Sequence, residues 1–175
     1  PRAMPYTDLL RTAVFLAGAE ATALGAIAAL AVSRAADTTA LLVAAAWWLV
    51  AFALGLYLGR PSAAADGVRD ALARARTATA LPEDSPARIA AVRLWPIALT
   101  ALAAGGLGIF YPGVAVVGAG YALLVALAMR TREAAVLGIE HRDGVKFYVV
   151  PNSALRPIQL VRTPGLRSDR LHSIG

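Results

Sequence analysis

The chain has 175 residues, of which 58% are hydrophobic and only 16% charged, and it carries a formal net charge of +6. An average soluble domain is about 45 to 50% apolar and about 25% charged, and here the apolar excess is gathered into four long blocks, a distribution that excludes an ordinary water-soluble globule. Cysteine is absent, which excludes a disulfide framework and thiolate chemistry.

In chain order, residues 1–11 form a short N-terminal segment with Arg2 and Arg11; Met4 reads as a natural start and residues 1–3 as an added scar. The first block, Thr12 to Val32, is one predicted membrane helix, because crossing a hydrocarbon layer of about 30 Å takes roughly 17 to 25 residues. It is too long for a cleaved signal peptide, and after "SRAADTT" the second block follows, Leu41 to Gly59. Gly18, Ala21 and Gly25 lie along one side of the first predicted helix, where small residues let a neighbour approach closely.

Residues 60–93 are too long for a simple turn. "DGVRDALARARTATAL" predicts a helix opened by Asp66, with Val68, Leu72, Ala75 and Thr79 on its apolar side, resting on the membrane surface or another protein. Ser85 is placed to cap, and Pro86 to start, a second helix that runs through Arg88 and Arg93 into the third block. That block, Leu94 to Phe110, and the fourth, Val114 to Met129, are near the lower length limit for a span. "FYPG" between them predicts a tight helical hairpin, crossing or re-entrant, and either form returns the chain to the same side. "AAGGLG" and Gly113, Gly118 and Gly120 predict near backbone contact between the two helices.

Residues 131–175 read as a different structure. Asp143-Gly144 between β-prone runs predicts a hairpin with His141 opposite Lys146, Ile139 opposite Tyr148 and Leu137 opposite Val150. "IQLVR", Ile158 to Arg162, offers a third strand, since a lone hairpin is marginal in water. The end, "RTPGLRSDRLHSIG", reads as an extended tail. The expected fold is therefore an all-α integral membrane four-helix bundle, over residues 12–130, with a small C-terminal β-hairpin or three-stranded sheet.

Sixteen of the seventeen basic residues lie before the first block, between the second and third, or after the fourth, and only Arg34 lies elsewhere. Loops rich in Lys and Arg stay cytoplasmic. Both termini are thus expected inside a bacterial inner membrane.

One acid, Glu20, interrupts the first block. A carboxylate at the centre of a membrane helix is unfavourable by about 2.5 to 3.5 kcal/mol, so it should face the protein or a wet cavity and have a partner. No Lys, Arg or His occurs in any block. Counting from the inner ends at about 1.5 Å per residue puts Glu20 and Tyr121 at one depth with Thr100 close behind, so these three are expected to form a polar layer, walled by Trp48. Glu20 serves there either as an interhelical hydrogen-bonder or as a proton or cation site.

Catalytic signals are missing. Glu140 and His141 are adjacent in the predicted strand and point to opposite faces, and the sequence holds no P-loop, G-x-S-x-G elbow, dinucleotide fingerprint or metal-ligand spacing. No cofactor is expected. Nor is nucleic-acid binding, because the basic residues are scattered. Arg130, Arg132, Lys146, Arg156, Arg162 and Arg167 are candidates for contact with anionic headgroups or a partner. The leading functional reading is a non-catalytic membrane subunit or adaptor presenting its small cytoplasmic module to a protein partner. The alternative is an oligomeric channel or proton-linked carrier using Glu20, and a lipid-acting enzyme at the inner interface comes third.

Overall fold

The computed structural model describes residues 3–35, 37–77, 85–154 and 156–164. Four helices are long and apolar enough to cross a membrane. They are α1 (Tyr6–Ala35), α2 (Thr38–Leu58), α4 (Pro86–Phe110) and α5 (Pro112–Met129), with two short helices, α3 (Pro61–Ala73) and α6 (Arg132–Asp143), between or after them. Their outward side chains are those of a surface that avoids water: Phe15, Leu102 and Phe110 are 73%, 75% and 78% exposed. Such a surface is stable only against another apolar medium.

Local chemistry sets the ends of these helices. Asp37 caps α2, its carboxylate accepting from the Thr39 and Ala40 N–H groups at 2.9 and 3.1 Å. Ser85 caps α4 by accepting from the Arg88 N–H, with Pro86 in the first turn, as the sequence predicts. The helical hairpin at "FYPG" is tighter than expected. Tyr111 alone separates α4 from α5, donating its N–H to Leu107 and accepting at its own carbonyl from Val114. Pro112 fits because the first helical position needs no N–H donor.

α5 is the shared neighbour: it packs on α1, α2 and α4, and α1 also packs on α4. The close approaches follow glycines, though not those expected on α1. A Cβ added at Gly18 or Gly25 would meet nothing within 4 Å. The buried line of α1 is instead Ala13, Ala17, Leu24 and Ala28, which share one helical face. On α4 and α5 the expectation holds at Gly108 and Gly118, where an added Cβ would lie 2.7 Å from the Ala115 Cβ and 3.1 Å from the Ala104 Cβ, but not at Gly106 or Gly113, which have nothing within 4 Å, nor at Gly120, which faces α2. The α2–α5 seam is as tight, since Gly55 faces Leu127 and Gly120 lies under the Trp47 indole.

The main apolar core sits at one end of the long helices. Met4, Leu9 and Leu10 from the start of the chain meet Val68 and Leu72 of α3, Ile89 and Leu94 of α4, and Val136 of α6. Phe147, Val149 and Leu160 close this core from a small sheet. Its strands are β1 (Arg76–Thr77), β2 (Val145–Val149) and β3 (Leu160–Pro164), in the order β1-β3-β2. β3 runs antiparallel to β2, with Phe147 opposite Arg162, and parallel to β1. Thr131 joins this end to α2, its hydroxyl donating to the Gly59 carbonyl at 2.7 Å. We call this end the cap.

Three expectations change. The predicted hairpin at Asp143-Gly144 does not form: residues 132–143 are helix α6, and Gly144, at φ +62°, is its left-handed C-cap. A glycine that supplies positive φ suits a helix stop as well as a hairpin turn, and the strong helix formers of "REAAVLGIEHRD" decide for the helix. β2 therefore finds its partner in the later run, displaced by two residues from Ile158–Arg162 to Leu160–Pro164. The helix expected from Asp66 begins at Pro61 and stops at Ala73. It does present Val68 and Leu72 as its buried side, packed on α6. Thr79 and the tail from residue 165 lie outside the described residues.

Candidate functional site

Glu20, Thr100 and Tyr121, from α1, α4 and α5, line one cavity of about 830 Å³. Small side chains on all three helices leave room for it. Ala17, Ala104, Gly118 and Ala122 are small, and Pro96 sits inside α4. A proline there has no N–H for the Val92 carbonyl, and its ring crowds the preceding turn, which weakens the helix beside the cavity. The cavity opens sideways, where Thr100, Val117 and Tyr121 are exposed. Its remaining walls are apolar, from residues such as Ile97, Val114 and Val125.

The polar groups are sparse. Glu20 is half-buried, and its carboxyl group lines the cavity together with the Thr100 hydroxyl. That hydroxyl also donates to the Ile97 carbonyl at 2.8 Å, one turn back on its own helix. Since it has one proton, it can offer Glu20 only an acceptor while the Ile97 bond is made. Among the described residues, no Lys, Arg or His lines the cavity. Trp48, expected to wall this layer, lies on another side of α5: its indole N–H donates to the Val116 carbonyl at 3.0 Å, while Trp47 donates to the Val117 carbonyl at 3.4 Å. Pro96 is among the lining residues with no expected role, although a proline within an apolar run is a readable signal of a weakened helix.

The basic candidates are not gathered onto one face. Lys146 lies opposite Thr163, and Phe147 opposite Arg162, so the pleat sends Lys146 and Arg162 to opposite sides of the sheet. Arg162 donates to the Thr77 hydroxyl at 3.3 Å, tying β3 to β1. Arg130 is exposed after α5, Arg132 is half-buried at the start of α6, and Arg156 is exposed in the β2–β3 connection. Arg167 lies outside the described residues. Other basic groups have structural work: Arg11 pairs with Glu133, joining α1 to α6, and the Arg60 guanidinium lies 3.9 Å from the centre of the Tyr57 ring.

Two anchors in the cap were not foreseen. Arg93, at the cap end of α4, donates to the Arg156 and Pro157 carbonyls at 2.9 and 3.4 Å and so fastens the β2–β3 connection. Glu140, on α6, accepts the Phe147 N–H at 2.9 Å. Two residues on, along the same edge of β2, the Val149 N–H donates to the Met4 carbonyl at 3.0 Å. Burial pushes the Glu140 carboxyl above the ordinary glutamate range, and the Phe147 N–H opposes that shift. Among the described residues, no group of three His, Cys, Asp or Glu could hold a metal ion.

No known protein family, curated protein or solved structure matches this chain. The functional reading therefore rests on the residues alone.

Proposed function

We propose that the chain is a non-catalytic, multi-pass subunit of a bacterial cell membrane, with both termini in the cytoplasm, whose helices hold the cap in a fixed attitude toward a protein partner or a second copy. The observation that carries this reading is the continuity of the cap core with the helix ends. Leu9 and Leu10 of α1 and Ile89 and Leu94 of α4 are buried in the same cluster as Phe147 and Val149 of the sheet, so the cap cannot swing independently of the bundle. Charge supports the orientation, because Arg11, Arg60, Arg93 and Arg130 all mark the cap ends of the four long helices.

The natural lack of cysteine makes the test direct. Thr39→Cys at the start of α2 is expected to react with a membrane-impermeant maleimide on intact cells, and Asp66→Cys on α3 only after lysis. Labelling of Asp66→Cys from outside overturns the orientation, and protein recovered in the soluble fraction without detergent overturns the membrane reading. A crosslinker placed at Lys146→Cys then captures the partner or the second copy.

A second reading, an oligomeric channel or proton-linked carrier, is favoured by one observation: Glu20, Thr100 and Tyr121 share a cavity. Reconstituted flux that Glu20→Gln abolishes is its test.

A further inference from the structure

We propose that the cavity between α1, α4 and α5 is a binding site for a lipophilic cation, an apolar body bearing one positive charge that enters from the side and pairs with Glu20. This deepens the second reading, by naming the ligand class of that site, and it rests on the four helices spanning a membrane.

Charge complementarity selects the occupant. Among the described residues the lining holds one carboxyl group and no basic side chain, so a cationic ligand supplies the countercharge that this lining does not. The Thr100 hydroxyl is shared with the Ile97 carbonyl, and a hydroxyl in any case does not supply a countercharge. Tyr121 adds an aromatic ring on the same wall, and ring faces attract cations. In surroundings this apolar a carboxylate attracts a cation more strongly than in water, even across the thickness of the cation's own apolar groups. A small hydrated metal ion would lose its water to a single carboxylate, whereas an organic cation buries its own apolar surface against Ile97, Val114 and Val125.

Size and access agree. Pockets for drug-sized molecules are roughly 300 to 1,000 Å³ and mostly apolar with a few placed polar groups, and this one is about 830 Å³. The exposed positions at Thr100, Val117 and Tyr121 put its mouth on the flank of the helices, where an amphiphile dissolved in a bilayer would arrive.

The probe is tetraphenylphosphonium, with tetraphenylborate as the ion of the same shape and opposite charge. Equilibrium binding of each is measured to full-length protein in nanodiscs. Saturable binding of tetraphenylphosphonium is expected, weakened about tenfold or more by Glu20→Gln, since a partner bearing a full charge is lost. Val117→Trp, which fills the mouth and keeps the acid, is expected to abolish it, and tetraphenylborate should not compete. The proposal is overturned if both ions bind alike, or if tetraphenylphosphonium binds the wild type and both variants equally. It also fails if a phospholipid stays in the cavity and the probe does not displace it, or if Val117→Cys forms disulfide-linked dimers in the membrane, which would make a second copy the occupant. Should Glu20→Gln not fold, Val117→Trp and the two-ion comparison on the wild type still decide. The cysteine labels described above test the membrane reading separately, so the two failures are distinguishable.

Discussion

Glu140 shows how one side chain finishes a sheet edge. β2 is paired on one side by β3, and on the other by Met4 and Pro5, which reach only as far as Tyr148 and Val149. The Phe147 N–H, left over on that edge, is taken by the Glu140 carboxylate. Replacing Glu140 by Ala leaves this N–H without its acceptor beside a buried ring, and the expected loss is about 1 to 3 kcal/mol in thermal or denaturant unfolding. Glu140→Gln keeps an acceptor oxygen and should be tolerated. The two differ from the wild type in pH dependence as well. Because burial raises the Glu140 carboxyl in the folded protein, its proton is held more tightly there than in the unfolded chain. Its contribution to stability is thus greatest at acid pH and is lost as pH rises through the folded value. The wild type is therefore expected to gain on Glu140→Gln as pH falls from neutral into the carboxylate range. The opposite slope would mean that the Phe147 N–H outweighs burial.

Helices in this protein are held at distances set by glycine, and the glycines differ sharply in what they allow. At Gly120 an added Cβ would collide with the Trp47 indole, whose N–H bonds the α5 backbone at Val117. Gly120→Ala is expected to destabilise by about 1 to 3 kcal/mol through this overpacking. Gly25→Ala, with nothing within 4 Å of the new methyl group, is expected to be neutral or to stabilise α1 by up to about 1 kcal/mol, because alanine restricts the unfolded chain and favours helix. Melting of both variants in one detergent separates these outcomes, and equal effects would refute the assigned seam. The same elements show what the sequence reveals. The four long helices are legible because a run of some twenty apolar residues has one stable form in lipid, and the α4–α5 turn because Pro112 can only begin a helix there. α6 was misread as strand since an Asp-Gly pair reports only a positive φ, and not which element it ends. That Glu20, Thr100 and Tyr121 come near one another from three helices was legible by depth counting, because helical rise is constant. Which residues line the cavity was not, because that depends on how α1, α4 and α5 pack face to face.

At the scale of the whole molecule, the long helices and the cap are one cooperative object assembled from distant parts of the chain. Residues 3–13, α3, the start of α4, α6 and the sheet share a single apolar cluster, and Thr131 and Arg93 tie its outer parts to α2 and α4. Cutting away residues 134–175 would remove Val136, Phe147, Val149 and Leu160, which are almost fully buried. It would leave Met4, Leu9, Leu10, Val68 and Leu72 facing water with no cover. Each fully buried aliphatic or aromatic side chain contributes about 1.5 to 3 kcal/mol, so losing four of them exceeds a large part of the 5 to 15 kcal/mol that typically separates folded from unfolded protein. The truncated chain is therefore expected to lose its single cooperative melt and to aggregate on size exclusion in detergent, whether or not a partner is present. Retention of a monodisperse peak with the wild-type pattern of cysteine labelling would show instead that the helices fold without the cap, and that the cap is a separable module. A point change at another exposed cap residue, such as Arg156→Glu combined with the crosslinker at Lys146→Cys, leaves the core intact and is the variant with which loss of a crosslinked partner can be assigned to the surface and not to collapse of the fold.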